Sequence, residues 1–178
     1  DSLGKEALKQ VRVNELIDHY LVFKGVHFGN HFTTLLMPRM WSYELIEAWM
    51  PGSIYNQGST QLMSDYEEYN GRKNYAENTG GGYYASRLPI TEWLLKNNLQ
   101  ATALTIRVIN EDYYAPLGVW VVREAARKAM NSKPKRFHNL KKAREYVERL
   151  TSIDLRHSKI IKEKQTRLTS WHKPTNNN

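Results

Sequence analysis

Tyr20-Leu21-Val22-Phe23-Lys24-Gly25-Val26-His27 and His31-Phe32-Thr33-Thr34-Leu35-Leu36-Met37 are two runs rich in β-branched and aromatic residues, joined through Phe28-Gly29-Asn30. Gly29 and Asn30 both tolerate positive φ, so the segment predicts two strands closed by a hairpin turn at Gly29-Asn30. Pro38 ends the second strand. Ser42 then has the character of an N-cap, with Glu44 in the turn after it, which predicts a short helix through Trp49 stopped by Pro51-Gly52.

Residues 1–12 read as a charged leader, and residues 52–82 as a long irregular stretch rich in Gly, Asn, Tyr and Ser. A helix is expected from about Tyr84 to Asn98, with Ala85, Leu88, Leu95 and Leu99 on one face and Pro89 near its first turn or kinking it. Ala101 to Ile109 reads as a strand, Pro116 opens a helix to about Met130, and Asn139 caps another carrying Leu140, Ala143, Val147 and Leu150. The class is α+β: a β-hairpin and further strands packed with three to four helices, with a strand order that the pattern does not determine. The expected division is a leader (1–12), one domain (13–151) and a flexible tail (152–178).

Composition narrows the chemistry. The 178 residues are 40% hydrophobic, enough for one packed domain, and no apolar run approaches the length of a membrane span. The chain has no cysteine, which excludes disulfides, thiolate zinc sites and cysteine nucleophiles and fits a reducing, cytoplasmic setting. It opens at Asp1 rather than Met, as expected of a processed fragment or of the C-terminal part of something longer. The net charge of +8 is concentrated: Arg127, Lys128, Lys133, Lys135, Arg136, Lys141, Lys142 and Arg144 occur with no acid among them, and without these eight the cations equal the 18 acids. A localised surplus of this kind is the electrostatic footprint of a polyanion binder. No helix-turn-helix, zinc-finger or RNP signature accompanies it, so contact with the nucleic-acid backbone is expected, without sequence readout.

Several segments together resemble the C-terminal region of the archaeal Nre DNA-repair family. They are Phe28-Gly29-Asn30 with the strand to Pro38, Trp41-Ser42-Tyr43-Glu44-Leu45, Glu47-Ala48-Trp49, Ser64-Asp65-Tyr66-Glu67, Tyr69-Asn70-Gly71-Arg72, Tyr75-Ala76-Glu77, Gly81-Gly82-Tyr83-Tyr84-Ala85-Ser86-Arg87-Leu88 and Pro116-Leu117-Gly118-Val119-Trp120 with Val122-Arg123-Glu124. The resemblance implies a part in the archaeal DNA-damage response, nucleoid association, and a motif at the C-terminus that binds the sliding clamp (PCNA). Family members are longer, with an N-terminal half that often carries a cysteine zinc motif; by its motifs this chain shows neither.

Gln165-Thr166-Arg167-Leu168-Thr169-Ser170-Trp171-His172 is similar to the clamp-interaction box, also called the PIP box. One tight turn would bring Leu168 and Trp171 together as an apolar plug while Gln165 bonds backbone nearby. His172 stands where a second aromatic is commoner.

Candidates for chemistry are sparser. Asp65, Tyr84, Arg87, Arg123 and Glu124 are the polar residues that would have to converge for a catalytic site, and no nucleophile–base pair can be read from spacing. Asp65, Glu67 and Glu68 have the hard oxygen ligands that magnesium prefers, although acids in an irregular loop are mostly solvated, and no cofactor is otherwise expected. His27 and His31 flank the hairpin turn without a carboxylate to complete a metal site. Gly80-Gly81-Gly82 lacks the Lys-Ser/Thr of a P-loop. Tyr, Trp and Arg of residues 52–87 have the character to stack on unpaired bases. The resulting expectation is a DNA-damage-response protein with a basic face on DNA and a clamp-docking tail. Two alternatives stay open, an enzyme acting on damaged DNA or a nucleotide, and a structural adaptor binding only proteins.

Overall fold

A computed structural model describes residues 2–53, 56–113 and 118–162. It begins with helix α1 (Ser2–Val11) and the short strand β1 (Glu15–Leu16), followed by β2 (Tyr20–His27), β3 (Asn30–Met37), β4 (Ser42–Trp49) and β5 (Gln61–Glu67). Helix α2 (Gly80–Lys96), β6 (Leu99–Gln100), β7 (Thr102–Ile109), α3 (Val119–Met130), β8 (Lys135–Phe137), α4 (Leu140–Thr151) and a 3-10 turn (Leu155–His157) complete it. The α+β class holds. Six strands form one sheet in the order β5-β4-β7-β3-β2-β8, antiparallel except where β4 runs parallel to β7, and β1 pairs β6 in a separate two-stranded ribbon.

The hairpin forms, one residue earlier than expected. Positive φ falls on Phe28 and Gly29, His27 pairs with Asn30, and Asn30 opens the second strand. Its amide donates to the carbonyls of His27 and Phe28. Gly29 is required twice over, because a Cβ there would also meet the backbone of Tyr113 at 2.3 Å.

Residues 42–49 form a strand, not a helix. β4 lies between β5 and β7 with Tyr43 through Ala48 all buried, so Tyr43, Leu45 and Glu47 serve one face and Glu44, Ile46 and Ala48 the other. Burial on both faces removes the alternation that marks a strand, and the Glu-Leu-Ala composition then mimics a helix. Ser42 caps nothing; its hydroxyl donates to Thr102 Oγ1.

Alternation sorts the core into two layers. Phe23, Leu36, Tyr43, Leu45 and Ala103 pack with Tyr83, Ile90 and Leu94 of α2 and with Leu8 and Val11 of α1. On the opposite face Val22, Leu35, Ile46, Leu104 and Ile106 pack with Ala143 and Val147 of α4 and with Ile153, Leu155, Ile160 and Ile161. Packing therefore reaches beyond both ends of the span 13–151. The supposed leader is an amphipathic helix, and the chain stays fastened to Ile161, because buried Glu44 accepts from the Ser158 hydroxyl and from the amides of Lys159 and Ile160. Among the described residues no helix is long and apolar enough to cross a membrane.

Helix α3 crosses β2 at Gly25, where an added Cβ would lie 2.7 Å from the backbone nitrogen of Ala129. Gly25→Ala is expected to lower unfolding free energy by about 1–3 kcal/mol, since the obstacle is rigid backbone. Urea titration against Gly58→Ala, where the nearest atom is a side-chain oxygen at 3.7 Å, checks this. Equal stability of the two variants would contradict it.

Candidate nucleic-acid interface

The basic stretch wraps around the β8 edge of the sheet. Arg127 and Lys128 end α3 on one side, Lys135 and Arg136 lie in β8, and Lys141, Lys142 and Arg144 open α4 on the other. The fold brings acids to some of these cations. Arg127 bonds Glu92 and Glu124, Arg136 reaches Asp18, and Arg144 pairs with Glu148. Glu92 and Glu124 hold the Arg127 proton more firmly than usual, and hydrogen bonding with His19 keeps the Asp18 carboxyl below its ordinary value. Lys135 places its ammonium 4.3 Å from the Tyr146 ring centroid. Among the described residues, Lys128, Lys133, Lys141 and Lys142 are exposed and have no acid within ion-pair distance.

Lys141 and Lys142 occupy the first turn of α4, which holds no acid. Cations at that end oppose the helix dipole, typically at ~0.3–1 kcal/mol each. Neither lysine helps α4 to form, while both add to the attraction of that end for a phosphate. Cations along a short edge strand also discourage edge-to-edge pairing, which is a structural use for Lys135 and Arg136.

The other polar residues lie between the sheet and α2. Asp65 Oδ2 accepts from the amides of Asn78 and Thr79 and from the Thr79 hydroxyl, so it caps α2 in place of a side chain from the helix itself. Its Oδ1 lies 3.2 Å from Arg72 Nη2. Glu67 accepts from Trp41 Nε1 at 2.9 Å and from Arg87 Nη1 at 2.7 Å. Arg107 Nη1 donates to Glu47 at 2.7 Å and its Nε to Asn30. Burial, the largest cause in each case, pushes the Tyr43 and Tyr83 phenols well above the ordinary tyrosine value, so neither supplies a phenolate near neutrality.

Tyr84 and Arg87 are brought together, with the Arg87 guanidinium 5.2 Å from the Tyr84 ring centroid, and Asp65 is bound to Arg72 and Thr79, whereas Arg123 and Glu124 are exposed on α3, where Glu124 is one of the Arg127 partners. Five residues do not make one constellation. Of the carboxylates suited to magnesium, Asp65 and Glu67 already face protein donors and Glu68 is exposed, and among the described residues no three His, Asp or Glu side chains are grouped to hold a metal ion. His31 lies beside Asn110 on the hairpin.

Sequence patterns did not point to a cleft of about 540 Å³ between α1, the loop 70–75 and α2. Its lining includes Lys9, Arg12, Arg72, Lys73 and Arg87, the rings of Tyr75 and Tyr84 and, among the described residues, no acid. Arg72 shapes the loop by donating to the carbonyls of Tyr66, Asn74 and Tyr75. Gly71, with φ 79°, leaves room for Arg12, whose Nη2 would lie 3.2 Å from a Cβ there. Tyr75 lies against Tyr84 with centroids 5.0 Å apart and the ring planes tilted by 32°, and Tyr84 accepts from the Ala76 amide. Lys9 and Arg12 sit in a segment with no local link to residues some sixty positions on, so only the fold joins the two. The clamp-box residues Gln165, Leu168, Trp171 and His172 lie outside the described residues.

Residues 67–171 match the family model described as archaeal Nre, C-terminal, and residues 1–56 the one described as archaeal Nre, N-terminal. The second match corrects the impression that the chain shows only the C-terminal region, and the cleft draws residues from both. The chain is 36% identical over 169 residues to the DNA repair protein NreA of Archaeoglobus fulgidus, covering 95% of this chain and 42% of that protein. It is 40% identical over 132 residues to the DNA repair protein NreA of Haloferax volcanii, covering 72% and 31%, and 37% identical over 156 residues to the DNA repair protein NreB of A. fulgidus, covering 87% and 40%. It spans less than half the length of these relatives. No solved structure matches. With both family models matched, one of them over more than half of its residues, this chain belongs to the archaeal Nre family.

Proposed function

We propose that this protein acts in DNA repair, holding the DNA backbone against the cationic strip around β8 and docking on the sliding clamp through Gln165, Leu168, Trp171 and His172. The observation that carries the DNA contact is the placement of Lys141 and Lys142, without an acid partner among the described residues, in the first turn of α4, where charge works against the helix and for a phosphate, with exposed Lys128 and Lys133 across the β8 edge. The relatives' names as DNA repair proteins support the same setting. A tail that engages a clamp raises the local concentration of a weak, sequence-independent DNA contact. Catalysis finds less support, since Asp65, Arg87 and Glu67 are engaged in capping and buried pairing.

Affinity for duplex DNA across a salt series tests the DNA contact: a steep loss with salt is expected, and a flat response would favour an adaptor that binds only proteins. For the tail, Leu168→Ala with Trp171→Ala is expected to weaken sliding-clamp binding by about tenfold or more, as loss of a buried Trp anchor does, with DNA binding intact. Calorimetry with the clamp reads this directly. Unchanged affinity would remove the docking proposal and leave the DNA contact standing.

A further inference from the structure

We infer that the cleft between α1 and the loop 70–75 is a binding site for a nucleoside phosphate whose base is unpaired, with the phosphate against Arg12 and Lys73 and the base stacked on Tyr75. The inference deepens the nucleic-acid role proposed above but rests on a different surface from the strip around β8.

Charge is the first ground. Among the described residues the lining holds five cations and no acid. Asp65 and Glu67 lie behind Arg72 and Arg87 and partner those two, and Lys9 has Glu6 beside it. Arg12 and Lys73 have no acidic partner among the described residues. The Nε of Arg12 is buried without a hydrogen-bond partner, and its guanidinium lies 5.4 Å from the Tyr69 ring centroid, which holds it in place. A guanidinium held in this way, half-buried with its residue lining the cleft, is suited to a phosphate oxygen.

The second ground is aromatic. Tyr75 is 62% exposed although its ring leans against Tyr84, so the ring retains open surface on which a further planar group can stack. Stacking on a tyrosine tolerates any base but requires that the base be out of a duplex. Size agrees: about 540 Å³ lies within the roughly 300–1,000 Å³ of clefts that take small ligands, and is too small for a duplex. The ligand chemistry is thus one nucleotide with its charge at one end and its base at the other, either free or as an unpaired residue of a DNA strand.

Calorimetry with dAMP and with a short 5′-phosphorylated single strand tests the site, using wild type, Tyr75→Ala and the pair Arg12→Gln with Lys73→Gln. Tyr75 and Lys73 are exposed, Arg12 is half-buried and keeps most of its stem as Gln, and circular dichroism with a thermal melt verifies the fold of each variant. Each variant is expected to lose affinity about tenfold for whichever probe the wild type binds, as expected for loss of a stacked base or of phosphate contacts. Tighter binding of the strand assigns the site to unpaired DNA, and tighter binding of dAMP to a free nucleotide; both support it. No binding of either probe, or binding that both variants retain, would overturn it. Duplex affinity measured alongside separates the two surfaces, since it is expected to survive the cleft changes and to depend on the strip.

Discussion

Glu47→Ala is expected to destabilise the fold by about 3–5 kcal/mol, the usual consequence of leaving a buried charge without its partner. Glu47 and Arg107 are each 5% exposed and meet at 2.7 Å in the centre of the sheet, on register-paired positions of β4 and β7. The other Arg107 contacts, Asn30 Oδ1 at Nε and the rings of Trp49 and Tyr113, are neutral and do not replace a carboxylate. Helix α2 comes so close here that a Cβ on Gly82 would lie 2.8 Å from Glu47 Oε1, which leaves little space for water to enter once the carboxylate is gone. The double change Glu47→Leu with Arg107→Met removes both charges and should recover most of the loss. Denaturant titration of the two variants decides it. A loss below about 1 kcal/mol for Glu47→Ala would mean that the pair is not desolvated as the geometry implies.

The second large effect concerns charge at the surface. Replacing Lys128, Lys133, Lys141 and Lys142 by Gln should reduce the slope of log affinity against log salt for duplex DNA by roughly 3–4, since each phosphate contact releases about 0.9 of a counterion. Between about 50 and 200 mM salt the wild type then loses roughly a hundredfold more affinity than the variant. All four side chains are exposed, and removing Lys141 and Lys142 also relieves the helix dipole, so the fold should be as stable or slightly more so. Loss of affinity with a gain in stability would separate a functional surface from a structural one. An unchanged slope would show that the phosphates lie elsewhere.

The hairpin, the strand ending at Ile109 and the α4 cap at Asn139 were legible in the sequence because each depends on local chemistry: a positive-φ turn, β-branched runs and a side-chain acceptor for the Lys142 amide. Residues 42–49 were not, because a central strand buried on both faces has no alternation and its acids are stabilised by partners distant in sequence, Arg107 for Glu47 and Ser158 for Glu44. α1 was missed for a related reason: its apolar face is short, and only the folded core gives Leu8 and Val11 something to cover. Charge arithmetic located the cation surplus correctly along the chain but not in space. Glu92, Asp18 and Glu148 return to meet Arg127, Arg136 and Arg144, leaving the lysines. Of the polar residues named for chemistry, Asp65 and Arg87 proved to hold α2 in place. The acid-free cleft beside them joins residues that no motif connects.

The most direct test of DNA contact by the strip around β8 is amide hydrogen exchange of the protein alone and saturated with duplex DNA. Exchange should slow across residues 127–144, most strongly at the first turn of α4, while the β5 edge at the far side of the sheet is unaffected. Exchange unchanged over 127–144 with DNA bound would contradict that contact.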